Sequence, residues 1–225
     1  MSTDTTELYK ITLDQVEKVV DINTTSFALD PYLNYMFYEI TDPETRMMFI
    51  RNMQAAFINQ TIHFNESYSL SDQLQSVMLM IPPENPWPED LWDVFTESQK
   101  TLLLERNLTT TYERFMKLEE FFSERFCQYD GISGYYLLVL STNINYRKQG
   151  LASKLLNQVF AKLDREQKKC YIECTDASNI PFYKKHGFEI IGHESLPLVG
   201  DVPLDKVPQI TFLSRPPQSI KPDLK

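Results

Sequence analysis

The feature that most constrains the fold is a stretch at residues 135–188 in which strand-like and helix-like patterns alternate. It begins with the apolar run YYLLVL at 135–140 and reaches a second apolar run, YIECT, at 171–175. Between them, apolar residues recur every three or four positions, as on one face of a helix: Leu151, Leu155, Leu156, Val159, Phe160 and Leu163. A further helix is expected near Asn179. This order of elements predicts a domain of the α/β class.

A basic loop that contains a glycine, residues 147–153, joins the first strand to the helix and reads RKQGLAS. A helix N-terminus presents backbone N–H groups without intrahelical partners, together with a partial positive charge, and so suits an anion. Gly150 lets the backbone approach a phosphate closely, while Arg147 and Lys148 add charge. An ordinary helix start shows the same pattern, but the flanking strand and helix favour phosphate binding.

Two motifs in this stretch resemble those of the GNAT N-acetyltransferase superfamily. The family's loop reads Arg/Gln-x-x-Gly-x-Gly/Ala, and Arg147, Gly150 and Ala152 match it. Its later segment has an Asn, an aromatic–Tyr pair and a closing Gly-Phe, matched here by Asn179, Phe182, Tyr183, Gly187 and Phe188. The chain is most similar to the puromycin-N-acetyltransferase-like branch, which has an acidic residue where Glu173 stands.

The resemblance implies one N-acetyltransferase domain over residues 1–225, with a mixed, strongly twisted sheet of about seven strands and helices on both faces. The cofactor-binding core would span about 135–190. Two helices are expected at about 89–128 as an insertion that covers the acceptor side. A hydrophobic content of 42% and a charged content of 24% are ordinary for a globular protein.

The remaining strands are predicted from short apolar runs. Residues 8–12 form the first strand, a hairpin joins a strand that begins at 62–64 to one at 75–81, and the last strands lie at 189–193 and 210–213.

The resemblance also implies an enzyme that transfers an acetyl group from acetyl-CoA to an amine of a small molecule, by direct attack in a ternary complex. Peptide or protein N-acetylation and a non-catalytic CoA-binding sensor remain open as alternatives. No metal is expected, because no His, Cys and carboxylate cluster has ligand spacing.

Cofactor contacts are carried over from the family to matching positions. The pyrophosphate would bind mainly to backbone N–H groups of the loop: Arg147, Lys148, Gln149, Gly150, Leu151, Ala152 and Ser153. The pantetheine arm would lie as a pseudo-strand beside Leu140 and Thr142, where the fourth and fifth strands splay apart. A bulge there would aim an N–H at the thioester carbonyl. Asn179 would contact the cofactor, and a plain N-cap is an equally good interpretation.

Two residues are candidates for proton transfer. By resemblance, Tyr183 is the general acid that protonates the departing CoA thiolate, since a phenol with a pKa of about 10 is protonated at neutral pH; a packed tyrosine is the alternative. Glu173 is a carboxylate in an otherwise apolar strand. It would accept a proton from the acceptor ammonium, directly or through water, or anchor the substrate, or simply face solvent. His186, at a helix end, is expected to carry a positive charge that suits the helix dipole.

Aromatic residues after the first helix are candidates for the acceptor pocket. Such clusters more often belong to the core, but the resemblance implies that this loop and helix line the pocket, which singles out Phe27, Tyr32 and Tyr35. Trp87, between two prolines, would close over a ligand, or else dock a surface turn.

Composition limits the classes of partner that the protein is expected to bind. A net charge of −9 argues against an extended nucleic-acid-binding face. An acidic surface would steer cationic amines, although it would equally serve solubility. No apolar run is long enough to span a membrane, and the polar, acidic N-terminus argues against a signal peptide. The three cysteines give no disulfide framework. A cytoplasmic monomer or homodimer is therefore expected.

Overall fold

A mixed seven-stranded sheet forms the centre of the computed structural model, which describes residues 8–83 and 89–219, with the side chains of 89–92 excepted. The strands are β1 (Tyr9–Lys10), β2 (Ser67–Ser69), β3 (Ser76–Ile81), β4 (Tyr135–Thr142), β5 (Cys170–Cys174), β6 (Glu189–Ser195) and β7 (Gln209–Arg215). Their order across the sheet is β1-β2-β3-β4-β5-β7-β6. The β4–β5 pair is parallel and the other pairs are antiparallel.

Helices cover both faces of the sheet, which confirms the predicted fold class. The α-helices of the described residues are α1 (Val16–Phe27), α2 (Pro31–Met36), α3 (Pro43–Thr61), α4 (Glu89–Glu105), α5 (Thr109–Gln128), α6 (Leu151–Arg165) and α7 (Ile180–Lys185). Helices α6 and α7 pack on one face, and α1, α3 and α5 pack on the other. Within the described residues, none of the helices is long and apolar enough to cross a membrane.

Strand β3 shows how the two faces are filled. Its side chains alternate, so that Met78 and Met80 contact the α6 side while Val77 and Leu79 contact the α1 and α3 side. Because both faces are covered, every residue of the strand is buried, and its sequence is an apolar run rather than an alternating one. The apolar positions of α6 that the periodicity predicts are buried from Leu155 onward.

A separation between β4 and β5 opens the sheet. The two strands pair only through Tyr135 with Cys170 and Tyr136 with Tyr171. Opposite β3, the register shifts by one residue, so that Leu138 is an extra residue in β4. A bulge of this kind bends a strand and increases its twist. Residues 138–142 therefore have no ladder partner in β5, and this edge positions the functional site.

Two strand boundaries differ from the sequence prediction. Residues 62–64 form a 3-10 turn that continues α3, and Asn65, at a φ of 56°, ends that turn before β2 begins at Ser67. The β-favouring residues of this turn do not form a strand, because α3 continues directly into the turn. The first strand stops at Lys10, because Thr12 and Gln15 form a capping box for the following turn.

A buried ion pair fastens α5 to its surroundings. The Arg114 side chain is fully buried and donates two hydrogen bonds of 2.5 Å to the Glu39 carboxylate, in the turn after α2. It also donates to the carbonyl oxygen of Val199 at 2.8 Å. Three segments distant in sequence thus meet at one guanidinium group.

We expect Glu39→Ala to lower the free energy of unfolding by about 3 kcal/mol, because it leaves the buried Arg114 charge without its partner. Glu17→Ala is the matched control: it removes a surface ion pair with Arg51 and is expected to cost less than about 1 kcal/mol. Urea denaturation of both variants checks the prediction, and equal losses would contradict it.

Candidate active site

A cavity of about 510 Å³ lies where β4 and β5 separate. Strand β4 contributes Leu138, Val139 and Leu140 to its wall, and β5 contributes Glu173. Helix residues that close it are Phe27, Tyr32, Gln54, Phe57, Glu119, Phe122, Phe126 and Tyr183. The opening in the sheet is therefore lined by side chains from both halves of the chain.

Glu173 is held between two tyrosines on the α5 side of the sheet. Tyr136 donates a hydrogen bond of 2.8 Å to one carboxylate oxygen, and Tyr171 donates one of 3.0 Å to the other. Burial raises the pKa of Glu173 to about 7, and the two tyrosine hydrogen bonds only partly oppose that shift. A carboxyl group with this pKa is suited to exchanging protons near neutral pH.

Tyr183 lines the same cavity from α7. Its ring is buried and meets Phe182 and Phe188 edge to face. Burial raises the pKa of its phenol above the ordinary value, and the nearby thiols of Cys174 and Cys170 act in the same direction. The hydroxyl is therefore protonated at neutral pH and remains a proton donor.

Six of the residues predicted from sequence line this one cavity. They come from five separate segments of the chain: Phe27, Tyr32, Leu140, Glu173, Asn179 and Tyr183. Asn179 precedes α7 without making a side-chain cap hydrogen bond, so the N-cap interpretation receives no support.

Two other predicted residues do not line the cavity, and a third is not among the described residues. Tyr35 was wrongly placed in the pocket wall: its ring is 1% exposed, and its hydroxyl donates to the carbonyl oxygen of Pro197 at 2.6 Å. In the helix that begins at Pro31, residue 35 faces the core. Thr142 bonds Ser76 through its hydroxyl and is not among the cavity-lining residues. Trp87 lies outside the described residues.

The loop at 147–153 leads into the first turn of α6. Lys148 and Gly150 both have positive φ angles, of 62° and 73°, and Gly150 is the residue before the helix. A Cβ added at Gly150 would meet no atom within 4 Å. The space beside Gly150, at the start of the helix, is therefore open, as an anion site there requires.

Two side chains near this loop are already engaged. Arg147 donates hydrogen bonds to the carbonyl oxygens of Thr142 and Ser26, at 3.3 and 3.2 Å, which ties the loop to β4 and α1. Ser153 lies 3.0 Å from His186 Nε2.

The expectation of a charged His186 was wrong. Burial lowers its pKa, with Lys185 and Arg215 adding to the effect, so the ring is neutral at neutral pH. It acts instead as a bridge between α7 and α6, because Nδ1 lies 3.1 Å from Asn157 Oδ1.

The cavity wall is acidic and aromatic. Asp30, Glu119 and Glu173 line it, and within the described part of the chain the lining contains no Lys, Arg or His. Burial raises the pKa of Asp30, which accepts a 2.6 Å hydrogen bond from Thr175. Burial and these carboxylates raise the pKa of Tyr32. Such a wall favours a cationic ligand with an apolar body.

Sequence reasoning missed several of these lining residues. Asp30 carried a usable signal, since an Asp followed by Pro starts a helix, and its side chain indeed caps α2. Phe122 and Phe126 carried no usable signal in the sequence, because the face that α5 turns to the cavity depends on how that helix packs in the fold. Tyr136 lies in an apolar run that gave no reason to pair it with Glu173.

No metal site accompanies the cavity in the described residues, where no group of three or more His, Cys, Asp or Glu side chains is placed to hold an ion. The geometry suits a different kind of ligand. The free edge of β4 offers backbone groups to an extended arm, and the α6 N-terminus offers N–H groups to a phosphate. These features together fit acetyl-CoA.

Comparison with protein families gives one match: a model described as an acetyltransferase (GNAT) domain matches residues 122–190, less than a third of the chain. A search of curated proteins finds no match. The matched segment contains the free edge of β4, the loop, α6, Glu173 and Tyr183.

Solved structures share the whole fold at low identity. An acetyltransferase from Corynebacterium glutamicum, described as histone acetyltransferase HPA2 and related acetyltransferase, has a TM-score of 0.58 and 17% identity, over 95% of this chain and 97% of that one. Arylalkylamine N-acetyltransferase 2 from Aedes aegypti has a TM-score of 0.54 and 15% identity, over 94% and 99%.

The polyamine N-acetyltransferase of Drosophila melanogaster has a TM-score of 0.55 and 10% identity, over 93% of this chain and 99% of that one. The chain thus has the GNAT fold, and the family match and the fold together support an acetyltransferase enzyme.

We expect Gly150→Glu to abolish detectable binding of acetyl-CoA, because its carboxylate would stand where the loop presents N–H groups to a phosphate. Gly150→Gln is the matched control, since it shares the size of the side chain and the strain of positive φ but lacks the charge. Calorimetric titration of both variants with acetyl-CoA measures the effect. Wild-type affinity in Gly150→Glu would contradict the prediction.

Proposed function

We propose that this protein is an acetyl-CoA-dependent N-acetyltransferase that acetylates an amine of a small molecule by direct transfer in a ternary complex. The observation that carries the proposal is the meeting of Glu173 and Tyr183 in one cavity, at the point where β4 and β5 separate. One group is a base near neutral pH and the other is a protonated phenol.

The chain's own residues supply a place for the co-substrate. Backbone N–H groups of the first turn of α6 would bind the pyrophosphate, with Lys148 adding charge, while Arg147 holds the loop in place. The β4 edge from Leu138 to Thr142 would take the pantetheine arm, and Asn179 lines the cavity beside it. Acetyl-CoA supplies the activated acetyl thioester.

Glu173 acts as the base in this proposal. The acceptor reaches the cavity as an ammonium ion, and Glu173 accepts its proton, directly or through water, so that the free amine can form the new C–N bond. Tyr136 and Tyr171 hold the carboxylate in one orientation through their 2.8 and 3.0 Å hydrogen bonds. Tyr183 gives its proton to the thiolate that leaves when the C–S bond breaks.

The state of Cys174 favours direct transfer over an acyl-cysteine intermediate. Cys174 lines the cavity, yet burial raises the pKa of its thiol to about 11. Its Sγ donates to the carbonyl oxygen of Asp176 at 3.1 Å. A protonated thiol is a weak nucleophile, so the amine itself is the better attacking group.

The shape of the cavity favours a small acceptor over a protein. Helix α5 brings Phe122 and Phe126 over the opening, and Tyr32 packs edge to face on Phe122 at 5.3 Å. A peptide substrate needs an open groove, whereas these rings cover part of the space. We also propose that the chain belongs to the puromycin-N-acetyltransferase-like branch, which has an acidic residue at the position of Glu173.

We expect Tyr183→Phe to slow acetyl transfer by roughly 10²–10⁴-fold, because the variant keeps the ring and loses only the proton donor. Acetyl-CoA affinity and melting temperature should change little, since the α6 loop and the ring packing remain. The three quantities are measured on one preparation with an amine that the wild type acetylates. Turnover within about threefold of wild type would refute the acid role.

We expect kcat/KM to fall as pH drops below about 7, because protonated Glu173 cannot accept a proton. Glu173→Gln should lose roughly 10²–10⁴-fold in turnover and lack this acid limb. A pH–rate profile of both proteins checks this, and an unchanged limb in the variant would assign it to another group.

The free energy of unfolding should also depend on the protonation of Glu173. It should fall as pH rises, whereas kcat/KM falls as pH drops. The pKa of Glu173 is raised by folding from 4.5 to about 7, so the folded state binds this proton more tightly. Stability is therefore lost as pH rises from about 4.5 to 7, by at most about 3 kcal/mol. Glu173→Gln should remove that loss, and denaturation of both proteins at pH 5 and pH 8 measures it.

A further inference from the structure

The charged groups that line the cavity are all carboxylates. Asp30, Glu119 and Glu173 belong to the lining, and among the lining residues that the structure describes there is no Lys, Arg or His. Residues 84–92, whose side chains lie outside the described part of the chain, contain no basic residue in their sequence either. A ligand in the cavity therefore meets negative charge that these residues do not offset with a cation.

Tyr32 indicates how this charge acts inside the cavity, because it lines the same space. Burial raises the pKa of Tyr32 most, and the charges of Glu119, Glu173 and Asp30 raise it further, in that order. All three carboxylates thus oppose a negative charge at this place. Their effect acts through space, so that it needs no direct contact between a carboxylate and the ligand.

An α-amino acid would bring a further anion to the site, because its carboxylate is bonded to the carbon that carries the amine. With that amine at hydrogen-bond distance from Glu173, the two carboxylates would lie roughly 5 Å apart. Like charges at this separation near a protein surface lower the affinity by a factor on the order of 100. Neutral polar residues of the lining, such as Ser123, Thr175 and Asn179, add no positive charge. The cavity therefore disfavours an amino acid and favours an amine without a carboxylate.

Glu119 is the carboxylate of the three whose charge can be removed without altering the proposed base or a helix cap. Glu173 is that base, and Asp30 caps α2 by accepting hydrogen bonds from the backbone N–H groups of Tyr32 and Leu33. Glu119 lies half-buried on α5, at the cavity. Among the three carboxylates it has the largest effect on Tyr32, so its charge reaches the space that the acceptor would occupy.

We propose that the acceptor is a cationic amine that carries no carboxylate, and that Glu119 is a specificity-determining residue that disfavours amino acids. The inference rests on the proposed function in taking this cavity as the acceptor site. Decarboxylation of an amino acid is the class of reaction that supplies such an amine: the carboxylate leaves as CO₂, a proton takes its place on the carbon, and the ammonium group remains. Acetylation then removes the positive charge, so that the acidic wall no longer attracts the neutral amide product.

Three sets of ligands separate the effect of charge from that of bulk. Each set has an amine, an amino alcohol and an amino acid with the same body: phenethylamine, phenylalaninol and phenylalanine; tryptamine, tryptophanol and tryptophan; putrescine, ornithinol and ornithine. The amino alcohol carries a neutral hydroxymethyl group where the amino acid carries its carboxylate. Calorimetry measures each affinity on the wild-type protein saturated with CoA, at pH 8, where Glu173 is ionised.

We expect at least one of the three amines to bind. Its amino alcohol should bind within about tenfold of it, and its amino acid should bind on the order of 100-fold more weakly, because only the amino acid adds a negative charge.

Glu119→Gln tests the charge from the protein side, because it keeps the shape of the side chain. It should narrow the ratio between the amine and amino acid affinities by about two- to fivefold, since the amine loses attraction and the amino acid loses repulsion. Glu113→Gln is the matched control: it removes the same charge from an exposed position of the same helix, outside the cavity lining. It should leave the ratio unchanged.

Five results would overturn the inference: no binding of any of the three amines, an amino acid that binds as tightly as its amine, an amino alcohol that loses as much affinity as the amino acid, a ratio that is unchanged in Glu119→Gln, or a ratio that narrows equally in Glu113→Gln. If Glu119→Gln does not fold, the wild-type comparison within each set decides alone. An amine that binds with the expected preference but is not acetylated would support the inference and refute the proposed function. Acetylation of an amino acid as efficiently as its amine would do the reverse.

Discussion

The site depends on the early end of pairing between two parallel strands. Strands β4 and β5 share only two register positions, and the extra residue Leu138 bends β4 away from β5. A free strand edge inside a protein is unfavourable, because its backbone groups need hydrogen-bond partners. Here the edge borders a cavity of about 510 Å³. The same separation thus creates both the space for a ligand and the backbone groups to bind it.

Burial then determines the chemistry of the groups around this opening. Glu173 would be an ordinary carboxylate in water, but enclosure raises its pKa to about 7. Tyr183 and Cys174 experience the same effect with a different consequence, because burial keeps both of them protonated at neutral pH. One physical cause therefore provides a carboxyl group that titrates near neutral pH, a protonated phenol and a protonated thiol within a single cavity.

Helix α5 covers part of the cavity, and contacts outside the cavity hold the helix in place. Arg114 links it to Glu39 and Val199 through buried hydrogen bonds, while Phe122 and Phe126 turn toward the ligand space. The insertion therefore has two faces with separate roles. Fastening one face by a charge pair fixes where the other face presents its aromatic rings.

Local pattern in the sequence was sufficient for α6 and for the glycine-bearing loop that precedes it. The periodic apolar residues of α6 are buried as predicted, and Gly150 stands before that helix with a positive φ angle, because these features depend on neighbours within a few positions. Aromatic residues were harder to assign. Tyr32 lines the cavity and Tyr35 does not, although they lie one turn apart, since the docking of α2 decides which of them faces the core.

The sequence by itself determined the order of strands and helices, the glycine-bearing loop and the presence of a carboxylate within an apolar strand. Only the tertiary structure decided that Tyr136 and Tyr171 hold Glu173, and that α5 brings Phe122 and Phe126 to the cavity. The reason is physical. Local elements follow from short-range backbone and side-chain preferences, whereas pKa values and unsatisfied hydrogen bonds depend on which distant segments exclude water from a group.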